Sequence, residues 1–157
     1  MGIWGTYLGN IVMTIVVSMV PVIELRGAIP MAVANGLDVP TALIVSIIGN
    51  LIPVPFIIIF IRKIFEWMRT KNQKFNNIVT RMENKAAKQS QVIEKYEWFG
   101  LVLLVAIPLP GTGAWTGALV AAMLDMRLKR AFPAILLGVV IAGLVVTFIT
   151  YGATVIF

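Results

Sequence analysis

The chain has 157 residues, of which 59% are hydrophobic and 13% charged, with a mean hydropathy of +0.94 and a formal net charge of +6. This composition indicates an integral membrane protein and excludes a soluble domain of this size. The sequence contains no Cys and no His, which excludes disulfides, thiol nucleophiles, histidine bases and metal sites built from these side chains. We therefore expect no metal and no cofactor.

A charged pair interrupts the first apolar block, residues 3–61. Glu24 and Arg26 lie in the segment 21–30, here called the first tip, which also contains a glycine and a proline, and this block has no other Lys or Arg. A charge at the centre of a bilayer costs roughly 2.5–3.5 kcal/mol on insertion scales. The pair therefore indicates a substrate or proton site on a chain break inside the membrane. An ion pair in a loop at the membrane surface is the alternative.

A short arm, 28–37, follows the first tip, and the apolar segment 40–61 is then long enough for a full membrane span. The middle of this span contains Asn50, Pro53 and Pro55. Because proline cannot donate a backbone hydrogen bond and clashes with the preceding turn, we expect a kink or a short unwinding there. This region would serve as a hinge or as a wall of the site; a kink without a functional role is the alternative.

Residues 62–98 are polar and basic, with nine Lys or Arg, four Glu and no Gly or Pro. Between positions 65 and 96, mostly apolar residues recur at steps of three and four, which predicts an amphipathic helix. Because cytoplasmic loops are rich in Lys and Arg, we expect this helix on the cytoplasmic face of the membrane. It would lie along the inner leaflet and contact anionic lipid headgroups rather than nucleic acid. Packing on a partner subunit and continuation of the preceding span into the cytoplasm are the alternatives.

The second apolar block, 99–157, contains two arms, 99–107 and 114–124, around the sequence Pro-Leu-Pro-Gly-Thr-Gly at 108–113, here called the second tip. At 1.5 Å per residue each arm reaches about 14–16 Å, half of a hydrocarbon core about 30 Å thick. We therefore expect a re-entrant hairpin at the second tip, followed by a full span over 131–157.

The two blocks have related patterns. A shift of 87 residues aligns Asp38 with Asp125, and a shift of 89 aligns Gly49 with Gly138. The positions of the basic residues orient the two units oppositely, as in transporters with inverted repeats. The predicted fold is an all-α integral membrane protein with two inverted-topology repeats, each a re-entrant hairpin followed by a transmembrane helix. The predicted organisation is one membrane domain, 1–157, made of the first repeat 1–61, the cytoplasmic segment 62–98 and the second repeat 99–157.

The second tip has the residue types that bind an anion. A re-entrant tip exposes the N-terminus of its returning helix, whose free N–H groups favour negative charge. Gly111 and Gly113 allow close backbone approach, Thr112 adds a hydroxyl, and Trp115 can stack or donate. Arg26 is the fixed cation opposite, because a guanidinium can hold phosphate or carboxylate with two parallel bonds. A tight turn without a ligand is the alternative.

Glu24 is the only carboxylate expected well inside the membrane. If an anionic substrate occupies Arg26, Glu24 loses its partner and can accept a proton, which would couple transport to protons. In the alternative, Glu24 and Arg26 neutralise each other and hold the hairpin together. The candidate substrate-binding residues are Glu24, Arg26, Gly27, Pro30, Pro108, Pro110, Gly111, Thr112, Gly113 and Trp115. The candidate hinge residues are Asn50, Pro53 and Pro55.

The two tip sequences, Glu-Leu-Arg-Gly-Ala-Ile-Pro and Pro-Leu-Pro-Gly-Thr-Gly-Ala-Trp, resemble the prokaryotic small multidrug export membrane protein family. That family resembles, more distantly, the DedA superfamily, whose members carry two facing re-entrant hairpins. The resemblance implies movement of polyprenyl phosphate or phospholipid, sometimes with proton coupling, or lipid scrambling. It places Glu24 and Arg26 at the acidic and basic positions of the first hairpin, and Pro108, Pro110 and Gly111 at the second.

The sequence favours a small transporter that moves an anionic amphiphile, such as a lipid phosphate or polyprenyl phosphate, across the bilayer. Proton-coupled export of cationic drugs and a structural or assembly subunit are the alternatives. An enzyme is not expected, because the apolar blocks lack the side chains for a nucleophile, a base or a metal site. Two spans have little internal surface to enclose polar tips, so we expect a homo-oligomer, a dimer or higher.

Overall fold

The structure, a computed structural model, describes residues 5–93 and 97–152, and all side chains within them except those of Ala86 and residues 89–93. Every regular element in these ranges is a helix. Residues 3–4 and 153–157 of the predicted apolar segments, and the stripe positions from Gln89 onward, lie outside the described backbone or side chains. The helices are α1 Tyr7–Met19, α2 Glu24–Ala34, α3 Val39–Leu51, α4 Pro53–Lys71, α5 Gln73–Ile93, α6 Glu97–Ala106, α7 Ala114–Met123 and α8 Leu128–Thr147, followed by a π-helical turn, Phe148–Gly152.

Two helical stretches are long and apolar enough to cross a membrane, Val39–Lys71 and Leu128–Gly152. The prediction of an all-helical chain with two candidate spans is thereby confirmed for the described residues. Asp38 begins the first stretch, because its carboxylate accepts the N–H of Thr41 at 3.0 Å and satisfies one of the free donors of the first turn. The same stretch is interrupted at Ile52, directly before the first of the two prolines that predicted a kink.

Three of the remaining helices are short. The helices α2, α6 and α7 have 11, 10 and 10 residues, so each is only about 15–17 Å long. The sequence placed a chain break over 21–30, but α2 begins at Glu24 and continues through Pro30. The break is thus shorter than predicted. A proline inside a helix removes one backbone bond, here to the carbonyl of Arg26, and α2 tolerates that single loss.

The basic segment 62–98 does not form the one continuous helix that its pattern predicted. Helix α4 continues to Lys71, Asn72 is extended with φ −161° and ψ 153°, and α5 then packs back against α4 and α7. An ion pair between Arg69 and Glu83 joins the two helices. Asparagine competes with helical hydrogen bonding and favours helix boundaries, so this break occurs without Gly or Pro.

The helices pack in two groups of three, and the same sequence of contacts along the chain occurs in both groups. Helix α1 packs against α2 and α3, α6 packs against α7 and α8, and α3 contacts α8 between the groups. In each group a glycine lies where two helices approach closely. A Cβ on Gly49 would overlap Ser18 and approach the backbone of Ile15 in α1, and one on Gly138 would lie 2.6–3.0 Å from Val102 and Val105 in α6. The shift of 89 residues that aligns these glycines therefore corresponds to similar packing positions.

The shift of 87 residues aligns two aspartates with different roles. Asp38 caps the start of α3, whereas Asp125 follows the end of α7 in the left-handed conformation, with φ 56°. Arg62 of α4 binds the end of α7 with both terminal nitrogens: Nη1 lies 2.6 Å from the Asp125 carboxylate, and Nη2 donates to the carbonyl of Ala122. A cation at this position interacts favourably with the negative end of the helix dipole.

Candidate binding site between the two tips

The first tip is a tight turn between α1 and α2. The N–H of Glu24 donates to the carbonyl of Val20 at 2.9 Å, which closes the turn. Glu24 itself adopts a left-handed conformation, with φ 50°, although it carries a side chain. This conformation costs roughly 1–2 kcal/mol for an L-residue. Such strain persists only where the surroundings hold the residue, and it occurs most often at functional sites.

The backbone conformation of the second tip requires glycine at two positions. Gly111 has φ 83° and Gly113 has φ 129° with ψ −168°, which side-chain-bearing residues rarely adopt. The hydroxyl of Thr112 lies 2.7 Å from the carbonyl oxygen of Ile107 and 2.8 Å from that of Leu109. These contacts fold the tip back onto the end of α6.

Arg26 crosses from the first tip to the second. Its guanidinium donates to the carbonyl of Leu109 at 2.6 Å, to the carbonyl of Ile107 at 3.2 Å and to the hydroxyl of Thr112 at 3.2 Å. The two carbonyls directly follow α6, where the helix dipole is negative. Arg26 therefore acts as a cationic cap on the end of α6.

Glu24 contacts a helix end of the opposite dipole sign, the positive start of α7. Its carboxylate lies at the start of α7, where Oε1 accepts the N–H of Trp115 at 3.4 Å. A Cβ on Gly113 would overlap the carboxylate group. Trp115 also donates its indole N–H to the carbonyl of Met19 at 3.0 Å, which fixes α7 against the end of α1. Glu24 is only 3% exposed and occupies the positive end of the α7 dipole.

Arg26 is thus bound by the second tip, and Glu24 by the start of α7, which follows that tip. No ion pair joins Glu24 to Arg26 in the part of the chain that the structure describes. The sequence interpretation that the two charges neutralise each other directly is replaced by a cross-tip arrangement, in which each charge binds a helix end of opposite dipole sign.

A cleft of about 540 Å³ lies beside these contacts. Its charged lining residues are Glu24, Arg26 and Lys85 of α5. A Cβ on Gly111 would lie only 2.8 Å from the Lys85 ammonium, so this side chain reaches the second tip. Two cations and one carboxylate therefore face the cleft. The other walls are mostly apolar and include Val22 of the first tip, Met82 of α5 and Leu119 of α7.

The family model of the small multi-drug export proteins matches residues 24–145. The chain belongs to this family. The match begins at Glu24 and includes most of the first tip, the second tip, the first candidate span, residues 128–145 of the second span, and the helix that carries Lys85. No curated protein and no solved structure matches the chain. Together with its apolar helices, family membership identifies the chain as a membrane protein of the small multi-drug export type.

Most of the predicted binding residues of this small multi-drug export family member lie together. Gly113 lies beneath the Glu24 carboxylate rather than in the wall of the cleft. Gly27 faces Ile23 of its own turn, and Pro30 lies one to two turns into α2, so neither lines the cleft. Those that line the cleft are Glu24, Arg26, Pro108, Pro110, Gly111, Thr112 and Trp115.

Lys85 and Asn50 are two of the residues that the structure brings to the predicted binding residues. Lys85 was not predicted, although it follows the stripe residue Met82 by three positions and so lies on nearly the same side of α5. Asn50 was predicted as a hinge residue, and it lies 1% exposed in a narrow crevice beside Glu24 and Gly113. Pro53 and Pro55 lie in the first turn of α4, and nothing in their contacts tests the hinge role.

Proposed function

We propose that this small multi-drug export family member transports an anionic amphiphile, such as a lipid phosphate, whose headgroup binds in the cleft between the two tips. The observation that carries this proposal is the pair of cations, Arg26 and Lys85, facing one carboxylate in an otherwise mostly apolar cleft. Such a lining favours a negatively charged headgroup with an attached hydrocarbon chain.

The available hydrogen-bonding capacity supports the same substrate class. A guanidinium has five N–H donors, and three contacts of Arg26 with the second tip leave part of this capacity for a ligand. Lys85 has no ion-pair partner among the described side chains. The cleft volume of about 540 Å³ also falls within the size range of ligand sites.

The proposal includes a membrane arrangement. We infer that α1 with α2 and α6 with α7 form two re-entrant hairpins in inverted repeats, with residues 62–98 on the cytoplasmic side of a prokaryotic plasma membrane. The short helices, the similar glycine positions in α3 and α8 and the basic residues of α4 and α5 support this arrangement. We further propose a homo-oligomer, because two spans enclose the polar tips incompletely, and transport without a catalysed reaction.

Proton-coupled export of cationic drugs is a second candidate, and the family name favours it. In that function Glu24, which is buried and accepts one N–H at 3.4 Å among the described residues, would exchange a proton for the cation. The adjacent cations argue against it, because Arg26 and Lys85 would repel a positively charged drug from the same cleft. An assembly subunit without transport activity is a third candidate.

Leaflet exchange in proteoliposomes tests the proposal. Fluorescent phospholipid and polyprenyl phosphate are incorporated, and their movement between leaflets is compared for wild type, Arg26→Ala and Lys85→Ala. We expect exchange by the wild-type protein, with strong loss in both variants. Lys88→Ala is the matched control, because Lys88 is an exposed lysine of the same helix that does not line the cleft.

Two results would contradict the anionic substrate. The first is wild-type exchange rates in both cleft variants. The second is absence of exchange together with proton-driven efflux of a cationic dye that Glu24→Gln abolishes, which would establish drug export instead. If the folded protein shows neither lipid exchange nor dye efflux, that result would favour the assembly role.

A further inference from the structure

Helix α1 is apolar in sequence but polar on its inner face. Its three buried side chains are Asn10, Thr14 and Ser18, which recur every four residues and so form one stripe along the helix. Thr14 donates its hydroxyl to the carbonyl of Asn10 at 2.6 Å and Ser18 donates to the carbonyl of Ile15 at 2.9 Å, so each hydroxyl oxygen can still accept a hydrogen bond. The stripe faces inward while the valines of α1 at positions 12 and 16 are exposed.

The stripe packs against a second set of polar groups on α3. Ser46 and Asn50 are 0% and 1% exposed, and among the described residues the Ser46 hydroxyl and the Asn50 side-chain carbonyl have no hydrogen-bond partner. If these atoms served only to hold the two helices together, they would be paired, because an unpaired buried polar atom costs about 1–3 kcal/mol. Their lack of partners within the described structure leaves both atoms free to bind a transient ligand.

The two sets connect the end of α2 to Glu24. At one end, Asn10 donates its side-chain N–H to the carbonyl of the exposed Asn35 at 2.6 Å. In the middle, the Ser18 hydroxyl occupies the space beside Gly49, the residue before Asn50. At the other end, Asn50 shares a crevice with the Glu24 carboxylate.

We propose that the α1–α3 interface is a proton path to Glu24, separate from the cleft that holds the headgroup. A hydrated proton enters near Asn35, passes the hydroxyl and amide groups of the stripe and binds the Glu24 carboxylate, which becomes the neutral acid. The charged groups around Glu24 are Arg26 on its own helix and Lys85 of α5 across the cleft. Helices α1, α3 and α7 contribute no charged side chain.

Glu24 lies between two cavities of the protein, because its side chain lines both the crevice beside Asn50 and the cleft. A proton taken from one side can leave on the other. The crevice has no room for a water molecule in this conformation, so it must widen for each passage. We therefore expect a slow proton flux rather than a channel-like current. The inference rests on the proposed membrane placement of the tips and not on the identity of the substrate.

The test is acidification of proteoliposomes that contain a pH-sensitive dye and valinomycin with K⁺ to balance charge. After acid is added outside, the wild-type protein should acidify the interior faster than protein-free vesicles do. We expect Glu24→Gln and Asn50→Leu to reduce acidification to the protein-free rate, and Ser46→Ala to slow it. Ser46→Ala should fold normally, because the hydroxyl that it removes makes no hydrogen bond.

Thr147→Val is the matched control, because the Thr147 hydroxyl is also buried and unpaired but belongs to α8. It should acidify at the wild-type rate. Wild-type acidification no faster than protein-free vesicles would overturn the proposal. Wild-type rates in folded Ser46→Ala and Asn50→Leu would also overturn it, since protons would then reach Glu24 from the cleft. A proton flux that needs Ser46, without lipid exchange, would leave this path standing and reject only the anionic substrate.

Discussion

The carboxylate of Glu24 occupies the space that a side chain at position 113 would need. Gly113 lies 89 residues after Glu24 in the chain, the same separation that relates the packing glycines Gly49 and Gly138. Glu24 and Gly113 both have positive φ and both precede or begin a short helix. The carboxylate of the first tip thus fits into the second tip at a position where only glycine leaves room.

Gly113→Ala should destabilise the protein more than a glycine substitution that introduces backbone strain alone. The new methyl group would displace the Glu24 carboxylate from the start of α7, in addition to a backbone cost of about 1–3 kcal/mol. Gly36→Ala is the control, because Gly36 has φ 96° and no atom lies within 4 Å of the position that its Cβ would take. Thermal unfolding in detergent, followed by tryptophan fluorescence, would measure both. Equal shifts would show that the carboxylate moves away at no cost.

Arg26→Lys should behave more like Arg26→Ala than like the wild type. One ammonium cannot reproduce the fork that reaches two carbonyls and the Thr112 hydroxyl. Hydrogen bonds to charged groups contribute about 1.5–3 kcal/mol each when buried, and less here because the site is partly open to solvent. The measurement is again the unfolding midpoint. Arg127→Lys, at an exposed arginine before α8, should change it little; rescue of stability by Arg26→Lys would show that charge alone suffices.

Arg62→Ala should cost more than Asp125→Asn. Arg62 also donates to the Ala122 carbonyl at the end of α7, whereas Asp125→Asn removes only the ion pair. Asparagine tolerates the left-handed conformation of residue 125, so this substitution adds little strain. Because the two side chains are 47% and 80% exposed, a double-mutant cycle should give a coupling of about 0.2–1 kcal/mol that decreases with added salt. A larger coupling that is insensitive to salt would contradict this account.

The cap at Asp38 should make part of the stability depend on pH. The N–H and hydroxyl of Thr41 stabilise the carboxylate, which lowers the pKa of Asp38 below its ordinary value of 3.8. The folded-state pKa is depressed, so this contribution is present above pH 3.8 and is lost as the pH falls through the folded-state pKa. Asp38→Asn keeps a capping oxygen without titrating. Unfolding midpoints measured against pH should therefore converge at low pH for the two proteins; parallel curves would exclude the effect.

The sequence contained enough information for the all-helical class, for the two candidate spans and for most residues of the cleft. Gly111 and Gly113 marked the second tip, because a positive φ is a property of the single residue and favours glycine there. The charged pair Glu24 and Arg26 was recognisable because the surrounding sequence is apolar. The partners of those charges could not be inferred from local patterns, because Arg26 binds backbone carbonyls, which every residue has.

Local sequence patterns also could not show that α5 contributes Lys85 to the cleft. Lys85 reaches the second tip only because the chain reverses at Asn72, and neither Gly nor Pro marks that reversal. The predicted start of α2 was wrong for a related reason. Gly27 and Pro30 counted as helix breakers in the sequence pattern, but the contacts of Glu24 and Arg26 with the second tip hold this segment as a helix.

Helix α7 has a charged partner at each end, Glu24 at its start and Arg62 beyond its last turn, and both precede it in the chain. During synthesis, both charges have therefore left the ribosome before α7 is complete. The ten-residue helix can dock as soon as it emerges, with its dipole compensated at both ends by chain that is already made. The order of the residues along the chain thus places both charged partners of α7 ahead of it, so that its dipole can be compensated without any later residue.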